Sequence, residues 1–214
     1  MKQPGSITLH GLILPLTCLL IIRVTISVVL NYRDYIPPNF ESDFLLGREP
    51  YFWTGYHIAF YFHLASGPVS LILGLILISD TFRLRFPAWH RLLGRIQVAC
   101  VLFVVVPSGL GMAFHAMTGT VAAVGFASLA IATGVCVAQG WQSAVRRRFA
   151  DHRRWMLRCF VLLCSAVVIR MIGGLATVTN FDATWLYPAS AWACWVLPLL
   201  IFEMKDRLRL LAGT

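Results

Sequence analysis

Charged residues are scarce in this sequence of 214 residues, and acidic ones are the scarcest. Asp, Glu, Lys and Arg make up 13% of the chain and hydrophobic residues 58%, whereas a soluble domain is about one quarter charged and about half apolar. Only nine residues are acidic against 18 that are basic, and the mean hydropathy is +0.75. These proportions exclude an ordinary soluble domain and indicate a polytopic membrane protein.

Linkers and long polar stretches are also missing, so nothing divides the chain into separate domains. A helix needs about 20 mainly apolar residues to cross a bilayer, and six stretches meet this length. We therefore predict an all-α fold, a single bundle of six transmembrane helices. The first is a retained helix rather than a signal peptide, because it exceeds 20 residues and lacks a clear cleavage site. The predicted spans are 9–31, 52–78, 94–115, 120–143, 155–178 and 184–204.

The net charge of +9 does not indicate a nucleic-acid partner, because the basic residues lie in short segments next to alternate spans. Segments 80–95 and 146–154 and the C-terminus are basic. The loop 32–51 is acidic and includes Asp43. This asymmetry is typical of cytoplasmic loops in an inner-membrane protein. We predict that both termini face the cytoplasm and that the chain's main partner is the lipid bilayer.

The six cysteines form no Cys-x-x-Cys pair and all fall inside predicted spans. This placement disfavours covalent c-type haem and exposed disulfides, and it is typical of small buried hydrophobic residues.

Histidines recur in and beside the spans, where an imidazole needs a partner, a ligand or a water-filled path. His63 lies about 11 residues, or ~16 Å, inside the second span. His90 and His152 open the third and fifth spans at matched depth, and His115 ends the third. We predict two non-covalent b-type haems, one between His90 and His152 and one between His63 and His115. The remaining histidines, His10 and His57, are predicted to lie at the membrane interface.

Three of these histidines are followed four residues later by glycine, one helical turn away on the same face. Gly67 follows His63, Gly94 follows His90, and a third copy spans 115–119. A glycine in this position leaves a flat recess beside the imidazole, as a planar macrocycle requires.

An arginine inside a span predicts an anionic partner. Arg170 follows His152 by 18 residues, which is five helical turns, so both are expected on the face that points into the bundle. With no carboxylate expected nearby, Arg170 is predicted to hold an acidic group of a ligand near the outer side; Arg23 is a weaker candidate for the same role.

Four motifs carry a resemblance to a known family. They are His63-x-x-x-Gly67-Pro68, His90-Arg91-x-x-Gly94-Arg95, His152-Arg153-Arg154-Trp155-Met156-x-Arg158 and Val168-Ile169-Arg170. Over residues 55–175 the chain resembles a bacterial family of membrane proteins known as domain of unknown function 2306. The resemblance implies a helical membrane fold and the position of a site, but no activity. Helix number and histidine placement also resemble ascorbate-reducible b-type di-haem cytochromes, without similarity of sequence.

These patterns favour a redox protein of the bacterial inner membrane that binds b-type haem and passes electrons across or within the membrane, with quinone as one candidate partner. The alternative is a non-catalytic subunit or assembly factor of a larger membrane complex. A small-solute transporter fits less well, because the spans show no inverted repeat and no acidic proton site. The sequence also leaves open that the histidines bind quinone, copper or no ligand.

Overall fold

The computed structural model describes residues 9–42, 44–117 and 119–211, and for 9–14, 209 and 210 only the backbone. Asp43, Thr118 and the side chain of His10, which entered the predictions above, lie outside this described part.

The described residues form seven helices and no β-strand, and six of the helices are long and apolar enough to cross a membrane. The all-α, six-span prediction is therefore confirmed. The helices are α1 (Leu9–Leu30), α2 (Glu49–Leu77), α3 (Asp80–Arg85), α4 (Pro87–Ala113), α5 (Thr120–Val145), α6 (Phe149–Val178) and α7 (Leu186–Leu211).

Two helix starts differ from the prediction. Helix α4 begins at Pro87 rather than near 94, and α6 begins at Phe149 rather than near 155. Pro87 occupies the first turn, where its missing N–H breaks no hydrogen bond. Hydropathy alone places both boundaries too late because the first turns of these helices are polar and basic. His90 and His152 consequently lie on the helices and not in the loops before them.

Three of the long helices are distorted. Helix α2 is kinked within Phe52–Tyr56, where Thr54 and Gly55 leave helical backbone geometry. A wider π-helical turn at Val101–Val105 precedes Pro107 in α4, which accommodates a ring that would otherwise clash with the carbonyl four residues earlier. Helix α6 breaks at Cys164, between Phe149–Leu163 and Ser165–Val178. The break changes which residues of α6 share a face.

Glycines allow the helices to approach closely, as expected where packing rather than a hydrophobic driving force holds membrane helices together. A Cβ atom added at Gly140 of α5 would lie 2.6 Å from Met156 Sδ of α6. One added at Gly74 of α2 would lie 2.7 Å from the ring of Phe160. Both glycines therefore set how near α6 lies to its neighbours.

We call the end of the bundle that carries the connections 78–86 and 146–148 the basic end, and the opposite end the far end. At the far end the loop 31–48 is fastened by Arg48, which is only 4% exposed. Its Nε donates to the Phe44 carbonyl at 2.6 Å and its Nη1 to the His115 carbonyl at 3.0 Å. The loop thus covers the far ends of α2 and α4.

Candidate cofactor site

A cavity of about 760 Å³ opens at the basic end between α2, α3, α4, α5 and α6. Its volume lies within the range of ligand sites, which are typically about 300–1,000 Å³ and mostly apolar with a few polar groups. The inner part is apolar and the mouth is basic. His90, Gly94, Gln97, Val98, Trp141, His152, Met156, Cys159 and Phe160 are among the lining residues.

His152 is held in a defined tautomer and orientation. Its Nδ1 lies 2.8 Å from the Gly140 carbonyl oxygen. A carbonyl only accepts, so Nδ1 carries the proton and donates, and Nε2 keeps its lone pair. Histidines that bind metals commonly donate from the second ring nitrogen to a carbonyl in this way, which fixes the ring and raises the basicity of the ligating nitrogen. The geometry of His152 is that of a prepared ligand.

His90 faces the same cavity from α4. Its Nδ1 is buried and has no hydrogen-bond partner among the described residues, which leaves Nε2 as the nitrogen that a ligand in the cavity can reach. The two imidazoles are near enough to interact electrostatically. Both His90 and His152 line the cavity, near the first turns of α4 and α6, which run in the same direction through the bundle. That the two histidines bind one ligand stays a prediction.

The wall beside His90 leaves room for a flat ligand. A Cβ atom added at Gly94 would meet no other heavy atom within 4 Å, and Gly94 lines the cavity one turn from His90. One further turn along, Gln97 is 1% exposed and donates from Nε2 to the Ser70 carbonyl at 2.8 Å, while its Oε1 has no partner among the described residues. His90, Gly94 and Gln97 are spaced i, i+4 and i+7 and share one helix face.

Four arginines and one aspartate surround the mouth of the cavity: Arg83, Arg91, Arg95, Arg153 and Asp80. Arg153 of α6 donates to both oxygens of Asp80, at 2.9 and 2.8 Å, and Arg83 donates to one of them at 3.1 Å. These hydrogen bonds lower the pKa of the Asp80 carboxyl below its ordinary 3.8, and the hydrogen bond from Arg153 has the larger effect. The ion pair joins α3 to α6 across the mouth.

His63 has a different environment. Its Nδ1 lies 3.1 Å from Ser108 Oγ, and that hydroxyl donates to the Val104 carbonyl at 2.5 Å, so the ring donates to Ser108. His63 is not among the residues that line the cavity. It links α2 to the segment of α4 that follows the π-helical turn.

The predicted haem between His63 and His115 stays a prediction, and each of the two histidines already has a partner of its own. His63 contacts Ser108 within α4, whereas His115 lies beyond the end of α4 at Ala113. His115 is instead stacked on Tyr51, with ring centroids 4.9 Å apart, and its Nδ1 donates to the Gly111 carbonyl at 3.2 Å. His115 thus packs at the far end of the bundle, where its carbonyl accepts a hydrogen bond from Arg48 of the loop 31–48.

The other predicted site residues also lie outside the cavity. Gly67 follows His63 and has free space beside it, since an added Cβ atom would meet nothing within 4 Å. Arg170 is exposed and donates to the Ala166 carbonyl of its own helix at 2.8 Å. The turn at Cys164 lies between His152 and Arg170 and interrupts the regular helix on which the five-turn count depends. Arg170 is within electrostatic range of His63, and its predicted anionic partner stays a prediction.

Sequence reasoning missed the ion pair between Arg158 and Glu203. Arg158 Nε and Nη2 lie 2.5 and 3.0 Å from the two carboxylate oxygens of Glu203, which joins α6 to α7. The signal was present, because Glu203 is the single acidic residue inside the predicted spans and Arg158 lies in the fifth. Gln97 was also missed, although its spacing from His90 is two helical turns.

Among the described residues, no three His, Cys, Asp or Glu side chains are arranged to hold a metal ion. The two imidazoles of the cavity thus have no third such side chain arranged with them in the described part of the chain, and an ion bound between them needs further ligands. A porphyrin supplies four nitrogen ligands to its metal ion.

Comparison with known proteins gives one match. The family model described as "Predicted membrane protein (DUF2306)" matches residues 60–205, which include His63, the cavity and the Arg158–Glu203 pair. The chain belongs to that family. No curated protein and no solved structure matches it.

Proposed function

We propose that this member of the DUF2306 family is a membrane redox protein that holds one b-type haem at the basic end, between His90 and His152. The observation that carries the proposal is that two histidines 62 residues apart in sequence, on two different helices, line one cavity. The orientation of the His152 ring supports metal binding in this cavity, because Nδ1 donates to the Gly140 carbonyl and Nε2 is left free to bind a metal.

The residues present fit this group. The cavity of about 760 Å³ has a mostly apolar interior, as a non-covalent macrocycle requires, and Gly94 leaves a recess beside His90.

When bound, haem supplies reversible one-electron chemistry whose potential depends on axial ligands and burial. Held by both His90 and His152, the group would have no position open to oxygen, so these residues would favour electron transfer over oxygen chemistry. His90 and His152 orient the group, the apolar wall formed by Val98, Met156 and Phe160 excludes water, and Gly140 holds the His152 tautomer. Because His63 and His115 hydrogen-bond separately, to Ser108 and to the Gly111 carbonyl, the proposal includes a single haem and electron transfer within the membrane.

The distribution of basic residues supports a particular orientation of the protein in the membrane. The basic end carries most of the arginines, which supports a cytoplasmic orientation of that end in a bacterial inner membrane. A haem near this surface would exchange electrons with a membrane quinone or with a larger complex at the cytoplasmic side.

The proposal is tested with protein purified from cells supplied with a haem precursor. We expect a Soret band in the wild type that is lost in His90→Ala and His152→Ala. His57→Ala is the matched control, since His57 binds the Phe52 carbonyl at the opposite end of α2. A wild-type chain that folds, co-purifies with a membrane complex and shows no Soret band after reconstitution with hemin would support the subunit alternative instead.

A further inference from the structure

The motif His90-Arg91-x-x-Gly94-Arg95 places two cations on the same helix as the proposed ligand and its recess. All four named residues line the cavity. Arg91 and Arg95 are spaced i, i+4, so their side chains are neighbours on the α4 surface.

The four arginines of the mouth are not equivalent. Arg83 and Arg153 already bind Asp80. Arg91 and Arg95 are exposed and make no ion pair or hydrogen bond with any described residue. The lining thus contains one carboxylate and four arginines, and the two arginines that do not bind this carboxylate border a mostly apolar cavity.

We infer that Arg91 and Arg95 are an anion-binding subsite of the cavity, which selects a ligand with an apolar body and carboxylates at one end. The inference rests on the proposed function and specifies it further: the two propionates of the haem point to the mouth and pair with these arginines. Guanidinium groups suit this role because they bind carboxylates through two parallel hydrogen bonds.

The arrangement also fixes the direction of the ligand. The inner part of the cavity, near Gly74 and Phe160, offers apolar surface and a glutamine whose Nε2 is already committed to Ser70. Carboxylates placed there would lose their hydration without gaining a cation. Carboxylates at the mouth keep water and gain two cations.

The test uses the full-length apo-protein in phosphatidylcholine nanodiscs, whose headgroups carry no net charge. Hemin and hemin dimethyl ester, which has the same ring without free carboxylates, are titrated and followed by the Soret shift. We expect the wild type to bind hemin about tenfold more tightly than the ester, the difference a charge-assisted hydrogen bond typically makes. The Arg91→Gln/Arg95→Gln variant should lose this preference.

Controls separate charge at the subsite from charge elsewhere. Arg146→Gln removes an exposed arginine at the same end that does not line the cavity, and the preference for hemin should persist. Arg91→Lys/Arg95→Lys keeps the charge and should retain part of the preference, which guards against a loss caused by misfolding.

The outcomes distinguish the two proposals. If wild type binds hemin and the ester equally, with a Soret shift that depends on His90, the haem proposal stands and the subsite is refuted. The subsite is also refuted if Arg146→Gln abolishes the preference as fully as the double variant. If neither compound binds a folded wild type, the proposed function itself is refuted.

Discussion

Filling the recess at Gly94 should block the cavity without harming the fold. In Gly94→Leu the new side chain enters space that the folded chain does not use, since even a Cβ atom there meets no heavy atom within 4 Å. Replacing glycine in a helix also improves helix propensity by up to about 1 kcal/mol. The apo-protein should therefore unfold at the same temperature as wild type or slightly higher.

The effect on ligand binding should have the opposite sign. Extra methylenes in a close-packed space cost about 1–3 kcal/mol, so hemin affinity should fall by about 5- to 150-fold. Gly94→Ala adds only a methyl group and should have a smaller effect. The assay is Soret titration of the apo-protein, with thermal unfolding of the same samples in detergent.

Gly67→Leu is the matched control. Gly67 also follows a histidine by four residues and also has free space beside it, but it does not line the cavity. It should leave hemin binding unchanged. If Gly67→Leu weakens binding and Gly94→Leu does not, the reasoning that locates the site at the basic end is refuted.

Three further predictions concern stability. Arg158→Leu and Glu203→Leu should each destabilise the protein by about 3 kcal/mol, because each leaves a charge without its partner in a membrane helix. In a double-mutant cycle measured by unfolding in detergent, the double variant should be more stable than either single variant. Additive losses of stability would contradict this prediction. Hydrogen bonding to Arg153 lowers the pKa of Asp80 in the folded protein below its ordinary 3.8. This contact therefore stabilises the folded protein at pH values above 3.8, and the stabilisation is lost as the pH falls through the lower pKa of the folded state. The unfolding temperature of wild type should thus exceed that of Asp80→Asn at pH 6, and the two should converge as pH falls below about 4; a constant difference would assign the effect to packing. Gly74→Ala brings a methyl group to 2.7 Å from an aromatic ring and should lower the free energy of unfolding by about 1–3 kcal/mol, whereas unchanged thermal unfolding would show that the ring moves aside freely.

The sequence was informative where a single quantity, the depth along the membrane, decided the outcome. His90 and His152 begin helices of the same direction, so their matched depth predicted that they face a common space, and both line one cavity. Depth supports the pair of His63 and His115 less well, because His63 contacts Ser108 within α4 whereas His115 lies beyond the helix end at Ala113.

Other features depended on local geometry that periodicity does not show. The turn at Cys164 interrupts the regular helix that a count of five turns from His152 to Arg170 assumes. The contact of His152 with Gly140 depends on the close approach of α5 and α6, which a lone glycine among many in membrane helices does not predict. Gln97, by contrast, could have been found as the amide two turns from His90 within an apolar run.

The most direct test of the central claim is the haem content of the purified protein, measured by pyridine haemochrome and by a reduced-minus-oxidised spectrum. The site geometry predicts one haem b per chain, lost in His90→Ala and in His152→Ala but retained in His115→Ala. Two haems per chain, or a spectrum that survives both His90→Ala and His152→Ala and disappears in His115→Ala, would contradict it.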